Sequence, residues 1–171
     1  MSDASEAPVF RYKCRSCDEW HMGIPTLACD APDAYLALAE ADRASRCTLE
    51  SDVCVIDEEY FFIRGNIHVP VHGLDDEFSW GVWCSISCDN FNDYMSVYES
   101  DSRTEHGPYF GWLSVTLSIY PDTINLKTNL HLQSPGFRPS IELEPTDHPL
   151  AREQREGMSQ ARLTEICAYY L

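Results

Sequence analysis

The sequence predicts an α+β fold, an antiparallel sheet of about six to seven strands with helices mainly on one face and a small N-terminal Cys-x-x-Cys element resembling a zinc knuckle. Three observations carry this. Between Asp52 and Ser140, β-branched and aromatic runs alternate with short Gly, Asn, Pro and Asp turns. Phe91, Tyr94, Met95 and Tyr98 fall at i, i+3, i+4 and i+7, the stripe of a helix lying on a sheet. The pair Cys14 and Cys17 sits in a short polar stretch ahead of the first helical pattern.

Residues 1–9 read as a flexible acidic tail and residues 10–171 as a single α+β domain. Asp30 is placed to cap a helix with Pro32 in its first turn and Tyr35, Leu36, Leu38 and Ala39 as its apolar face, running to about Ala44. Four strands are expected next, at Val53–Ile56, Tyr60–Arg64, Ile67–Val71 and Phe78–Ile86, with Gly65-Asn66 and 72–76 as turns; connections this short imply antiparallel pairing. In the last of these, Phe78, Trp80, Val82, Cys84 and Ile86 share one face, and Trp83 is the large residue on the other. Ser87 or Asp89 caps the helix that carries Phe91. After the polar segment 101–108, strand texture returns at Tyr109–Ile119 and Ile124–Leu132, and a short strand at Ser140–Glu144 follows the Pro135-Gly136 turn. The run Thr146-Asp147-His148-Pro149 opens a helix that Gly157 ends, and Ser159 starts the last one.

At 171 residues, 44% hydrophobic and 23% charged, the chain has the composition of a folded globular protein. Its first eight residues lack the basic start and apolar run of a signal peptide, and no stretch offers the roughly 18 apolar residues of a membrane span. A cytoplasmic location is therefore expected, where eight cysteines stay reduced or bind metal rather than forming disulfides. With 28 acidic against 12 basic residues the net charge is −16, which opposes binding to phosphate backbones and anionic membranes. Such charge belongs to a solvated surface or to a protein that meets a basic partner.

The Cys14-x-x-Cys17 spacing lets two thiolates reach one tetrahedral zinc from a tight turn, with His21 close behind. Cys29, Cys47 or Cys54 would supply a fourth ligand, and Cys54 would tie the element to the sheet. Free thiols are the alternative, and Asp18 stands where many zinc knuckles have glycine. His68 and His72 lie about 13 Å apart on an extended strand, too far to share a metal. Cys84 belongs to an apolar face. No hydrolase elbow, P-loop, dinucleotide fingerprint or zinc-protease helix occurs. Thr146 to Pro149 reads either as a helix cap or as an acid and a base at a helix mouth near Arg138.

Several segments are long enough to be specific: Cys14-Arg15-Ser16-Cys17 with Trp20-His21, Ser51-Asp52-Val53-Cys54-Val55-Ile56-Asp57, Phe61-Phe62-Ile63-Arg64-Gly65, Gly107-Pro108-Tyr109-Phe110-Gly111-Trp112-Leu113, and Glu142-Leu143-Glu144-Pro145-Thr146-Asp147-His148-Pro149-Leu150. Through these and Tyr120 to Thr128, residues 10–165 resemble a bacterial family known as domain of unknown function 2199. The resemblance implies a bacterial cytosolic protein and carries over no activity or catalytic residue. Two functions are then expected in competition. One is an acidic protein-binding module with a structural zinc, docking a basic protein as an immunity protein docks a nuclease toxin. The other is an enzyme or small-ligand binder whose pocket is walled by aromatic residues such as Trp80, Trp83, Tyr109, Phe110 and Trp112, with Arg64, Lys127, Asp147 and His148 as polar anchors.

Overall fold

A computed structural model describes residues 7–171. The expected tail over residues 1–9 lies, for residues 1–6, outside the described residues. Ten strands and five helices follow in the order β1 (Arg11–Lys13), β2 (Trp20–Met22), β3 (Thr26–Ala28), α1 (Asp33–Leu36), α2 (Glu40–Arg46), β4 (Cys47–Leu49), β5 (Val53–Ile56), β6 (Tyr60–Pro70), β7 (Glu77–Ile86), α3 (Cys88–Ser96), β8 (Tyr109–Leu113), β9 (Lys127–His131), β10 (Ser140–Leu143), α4 (Pro149–Glu156) and α5 (Gln160–Tyr170).

The strands do not form the simple antiparallel sheet expected. β6, β7, β8, β9 and β10 close into a five-stranded barrel, because β6 pairs with β7 along one edge and with β10 on the other. The β6–β7 ladder is long and antiparallel, from Phe61↔Ile86 to Pro70↔Glu77. The closing pair is parallel and narrow, a single bridge between Ser140 and Asn66. β5 and then β4 extend the sheet from the first residues of β6, and β3 adds to β7 in parallel. β1 and β2 form a separate hairpin.

Residue alternation explains the barrel interior. Ile63, Ile67, Val82, Cys84, Leu113, Leu130 and Ile141 are all 0% exposed, and the pairing registers put them on one face of their strands. Gly65 was expected in a turn. It lies instead in mid-strand, where β10 crosses: a Cβ there would stand 2.6 Å from Ile141 Cδ1 and 2.7 Å from the Pro139 carbonyl oxygen. Glycine is what allows the closing strand to come in.

Helices close the two ends of one row of side chains on the β6–β7 ladder. α3 packs Phe91 against Phe61, ring centroids 4.8 Å apart, whereas Tyr170 of α5 meets Trp80, the ladder partner of Ile67 farther along the same row. Of the two expected caps, Ser87 rather than Asp89 caps α3, accepting from the Asn90 N–H at 3.2 Å, and Ser159 caps α5 in the same way. The helix expected over 30–44 is broken in two. Pro32, not Asp30, is the N-cap of α1, and Ala39 is extended between α1 and α2. The predicted strand over 124–132 begins only at Lys127, because Asn125 is left-handed at φ 62°.

Candidate metal centre and the other predicted site residues

The hairpin pairs Tyr12 with His21, and Cys14 follows directly at the end of β1. Its turn is closed by the Cys14 N–H donating to the Glu19 carbonyl at 2.9 Å. Asp18 takes the left-handed position of that turn at φ 56°, a conformation aspartate tolerates better than most non-glycine residues. The knuckle therefore forms without the usual glycine.

Cys14, Cys17 and His21 offer ligand atoms that all lie within 4.8 Å of one another. They are close enough to bind one metal ion. Cys17 Sγ is 3.1 Å from His21 Nε2, and the Tyr12 ring stacks on the imidazole at 5.4 Å. The amides of Cys17 and Ser16 donate to Cys14 Sγ and pull its thiol below the ordinary value, favouring the thiolate a metal needs.

The remaining thiols lie elsewhere. Cys54 is outside this cluster, 0% exposed in β5, where burial pushes its thiol up to about 12. Cys47 neighbours it on β4, and the Cys29 carbonyl accepts from Trp83 Nε1 at 3.0 Å. A fourth ligand from Cys54 would have to cross from the sheet to the hairpin. What does approach is the end of α5. The Leu171 main-chain oxygen accepts from the Arg15 N–H at 2.8 Å and lies 3.4 Å from Cys14 Sγ, and Arg15 Nη1 donates to the Ala168 carbonyl at 2.9 Å. All eight cysteines are free thiols.

The expected pocket residues do not converge. Trp83 is fully buried, with the Arg64 guanidinium 5.6 Å above its ring. Lys127 is exposed and lines a different hollow, beside Leu143 and Thr146. Asp147 is exposed, and His148 is the N-cap of α4. His148 Nδ1 accepts from the Leu150 N–H at 3.2 Å, so Nε2 carries the proton and donates toward the carbonyls of Pro121 and Asp122. The imidazole is spent on capping and on that loop, and Arg138 turns away from it to Asp52, with Nε 2.8 Å from Oδ1. Trp80 and Tyr109 are likewise core residues, at 2% and 4% exposure.

Sequence reading missed two polar clusters. Tyr120 and Arg162 both donate to Glu153, tying α4 and α5 to the 114–126 loop. Asp93 of α3 receives the Tyr109 hydroxyl and lies 2.9 Å from His106 Nδ1, which pins the turn carrying the buried Arg103. The polar texture of 101–108 gave no sign that an arginine there is buried.

Fold and site thus define an acidic α+β protein built on a small closed barrel, with an outlying Cys/His hairpin of metal-binding geometry. Residues 13–158 match a family described as uncharacterized protein conserved in bacteria, and the chain belongs to this family, domain of unknown function 2199. That span holds Cys14, Cys17 and His21 and stops short of α5. Among curated proteins and among solved structures no significant match was found. No helix among the described residues is long and apolar enough to cross a membrane.

Proposed function

We propose that the chain is a zinc-binding protein in which the metal holds the β1–β2 hairpin in place. The observation that carries this is the grouping of Cys14, Cys17 and His21 within 4.8 Å. Tetrahedral zinc, with bonds of about 2.3 Å to sulfur and about 2.0 Å to nitrogen, sets its ligand atoms roughly 3.5 Å apart. The 3.1 Å Cys17–His21 distance and the 3.4 Å from Cys14 Sγ to the Leu171 oxygen both lie near that spacing. A zinc here would tie the hairpin, which shares no ladder with the barrel, to the end of α5. Its role is structural in this reading.

About one zinc per chain is expected by elemental analysis of protein purified with a reductant. A Cys14→Ser, Cys17→Ser double variant should lose the metal and stay folded, with faster amide exchange confined to the hairpin and the last turn of α5. Metal-free wild-type protein whose melting temperature does not respond to added zinc would sink the reading.

A second reading rests on the outer face of the same hairpin. Strand alternation that turns His21 inward leaves Trp20 and Met22 69% and 65% exposed. Exposed aromatic and Met side chains are typical anchors at protein interfaces, and a net charge of −16 suits a basic partner. On this reading zinc sets the shape of a docking element. The expected result is a stoichiometric, salt-sensitive partner from the native host that Trp20→Ala fails to retain; equal recovery by both proteins would exclude the hairpin as the docking surface.

A further inference from the structure

A cavity of about 430 Å³ opens between the start of β5, α3 and the loop before β10. Its size falls in the range of small-molecule sites. Asp52, Tyr94, Tyr98, Arg103, Phe137 and Arg138 line it.

Arg103 is 2% exposed. Its Nη1 donates to the Tyr98 carbonyl at 2.6 Å, and its guanidinium carbon lies 5.7 and 5.6 Å from the rings of Tyr94 and Tyr98. Nε and Nη2 are buried without an acceptor. These two nitrogens form one edge of the guanidinium, and their parallel N–H bonds match two oxygens of a carboxylate or phosphate. Buried donors without acceptors are rare because desolvating them is costly, most of all on a charged group. The pinning of its turn through Asp93, His106 and Tyr109 fixes Arg103 in advance of any ligand.

The charges nearby point the same way. Arg138, at the cavity mouth, has a side chain 39% exposed. Arg64 lies close enough for Arg138 to act on its charge, and its Nε is also buried and unpaired. Among the described residues Asp52 is the one carboxylate lining the cavity, and it already accepts from Arg138 and from the Tyr98 hydroxyl. Two of the chain's 12 basic residues, Arg103 and Arg138, therefore line one hollow of a molecule whose net charge is −16, with Arg64 near enough to add to its positive field.

We propose that this cavity binds a small organic oxyanion, a carboxylate or a phosphate monoester. Arg103 holds it from the buried wall by its charge and turns its unpaired Nε–Nη2 edge to it, Arg138 closes over it from the rim, and the rings of Tyr94 and Phe137 flank its apolar portion. The site is independent of the metal centre.

The test is calorimetric titration of the full chain with inorganic phosphate and with malonate, at ionic strength held constant with sodium chloride. Saturable binding of one anion per chain is expected. A response to phosphate alone identifies a phosphate ligand, to malonate alone a carboxylate, and to both their shared oxyanion chemistry. Arg138→Gln, a rim substitution that leaves the core intact, should weaken binding about tenfold or more, and Arg103→Lys, which keeps the charge and loses the fork, by a similar factor. The Cys14→Ser, Cys17→Ser variant should bind as wild type does. Absence of saturable binding by both anions, or unchanged affinity in Arg138→Gln, would overturn the proposal.

Discussion

Asp52 joins three parts of the molecule. It sits just before β5, accepts Arg138 Nε from the loop before β10, and accepts the Tyr98 hydroxyl from the end of α3. Burial works to raise its carboxyl, but the bonds from Tyr98 and Arg138 and the nearby arginine charges outweigh it, so the group is held below the ordinary carboxylate value. A depressed folded-state value means stability that is present in full above the unfolded-state value, near pH 4, and lost as pH falls through the folded one. Asp52→Asn should therefore cost about 1–2 kcal/mol at pH 7 in urea unfolding, with the deficit shrinking toward pH 3. A deficit of equal size at both pH values would contradict this account. Residue-scale legibility depended on separation in sequence. Cys14, Cys17 and His21 could be read because a hairpin brings together neighbours only three and four residues apart. Asp52 and Arg138 are 86 positions apart, and Arg103 lies in a segment whose polarity resembles any exposed loop.

At the scale of elements, local signals succeeded where local physics decides. Ser87 before the Phe91, Tyr94 stripe announces α3, and the structure has it accepting the Asn90 N–H. Ser87→Ala should cost about 1 kcal/mol, lowering the melting temperature by about 3 °C in thermal unfolding, whereas the same change at exposed Ser96 should have a smaller effect. Signals failed where a distant contact overrides the local preference. Gly65-Asn66 has turn chemistry, yet β6 runs straight through it because the neighbour that requires glycine is Ile141. The segment 30–44 has helical periodicity, yet the chain breaks between Ala37 and Ala39. At the start of α1 the Asp33 N–H donates to the Ser114 carbonyl and the Asp33 carboxylate accepts from Thr116, so tertiary bonds to the loop after β8 set where α1 begins.

For the whole molecule, the positions of the barrel strands were legible, whereas β1 to β4 and the closure were not. Alternation along β7 identifies the inward residues whether the sheet is open or closed, so no periodicity distinguishes the two. Closure depends on one bridge, Ser140↔Asn66, whereas β6 and β7 hold each other along their full length. That asymmetry sets an order in time. The β6–β7 hairpin closes a short loop between Pro70 and Glu77, but β10 reaches Asn66 only after the intervening chain has been drawn together, the costlier step in chain entropy. Folding should accordingly take milliseconds to seconds, with the seam zipping after the rate-limiting barrier. Gly65→Ala, which wedges a methyl group into the seam, should then speed unfolding several-fold in stopped-flow experiments and leave the refolding rate nearly unchanged. Slowed refolding would mean that the seam is already joined at the barrier. In the expected case the last contact made is also the first to part, and the barrel's lifetime is governed by a single crossing of two strands.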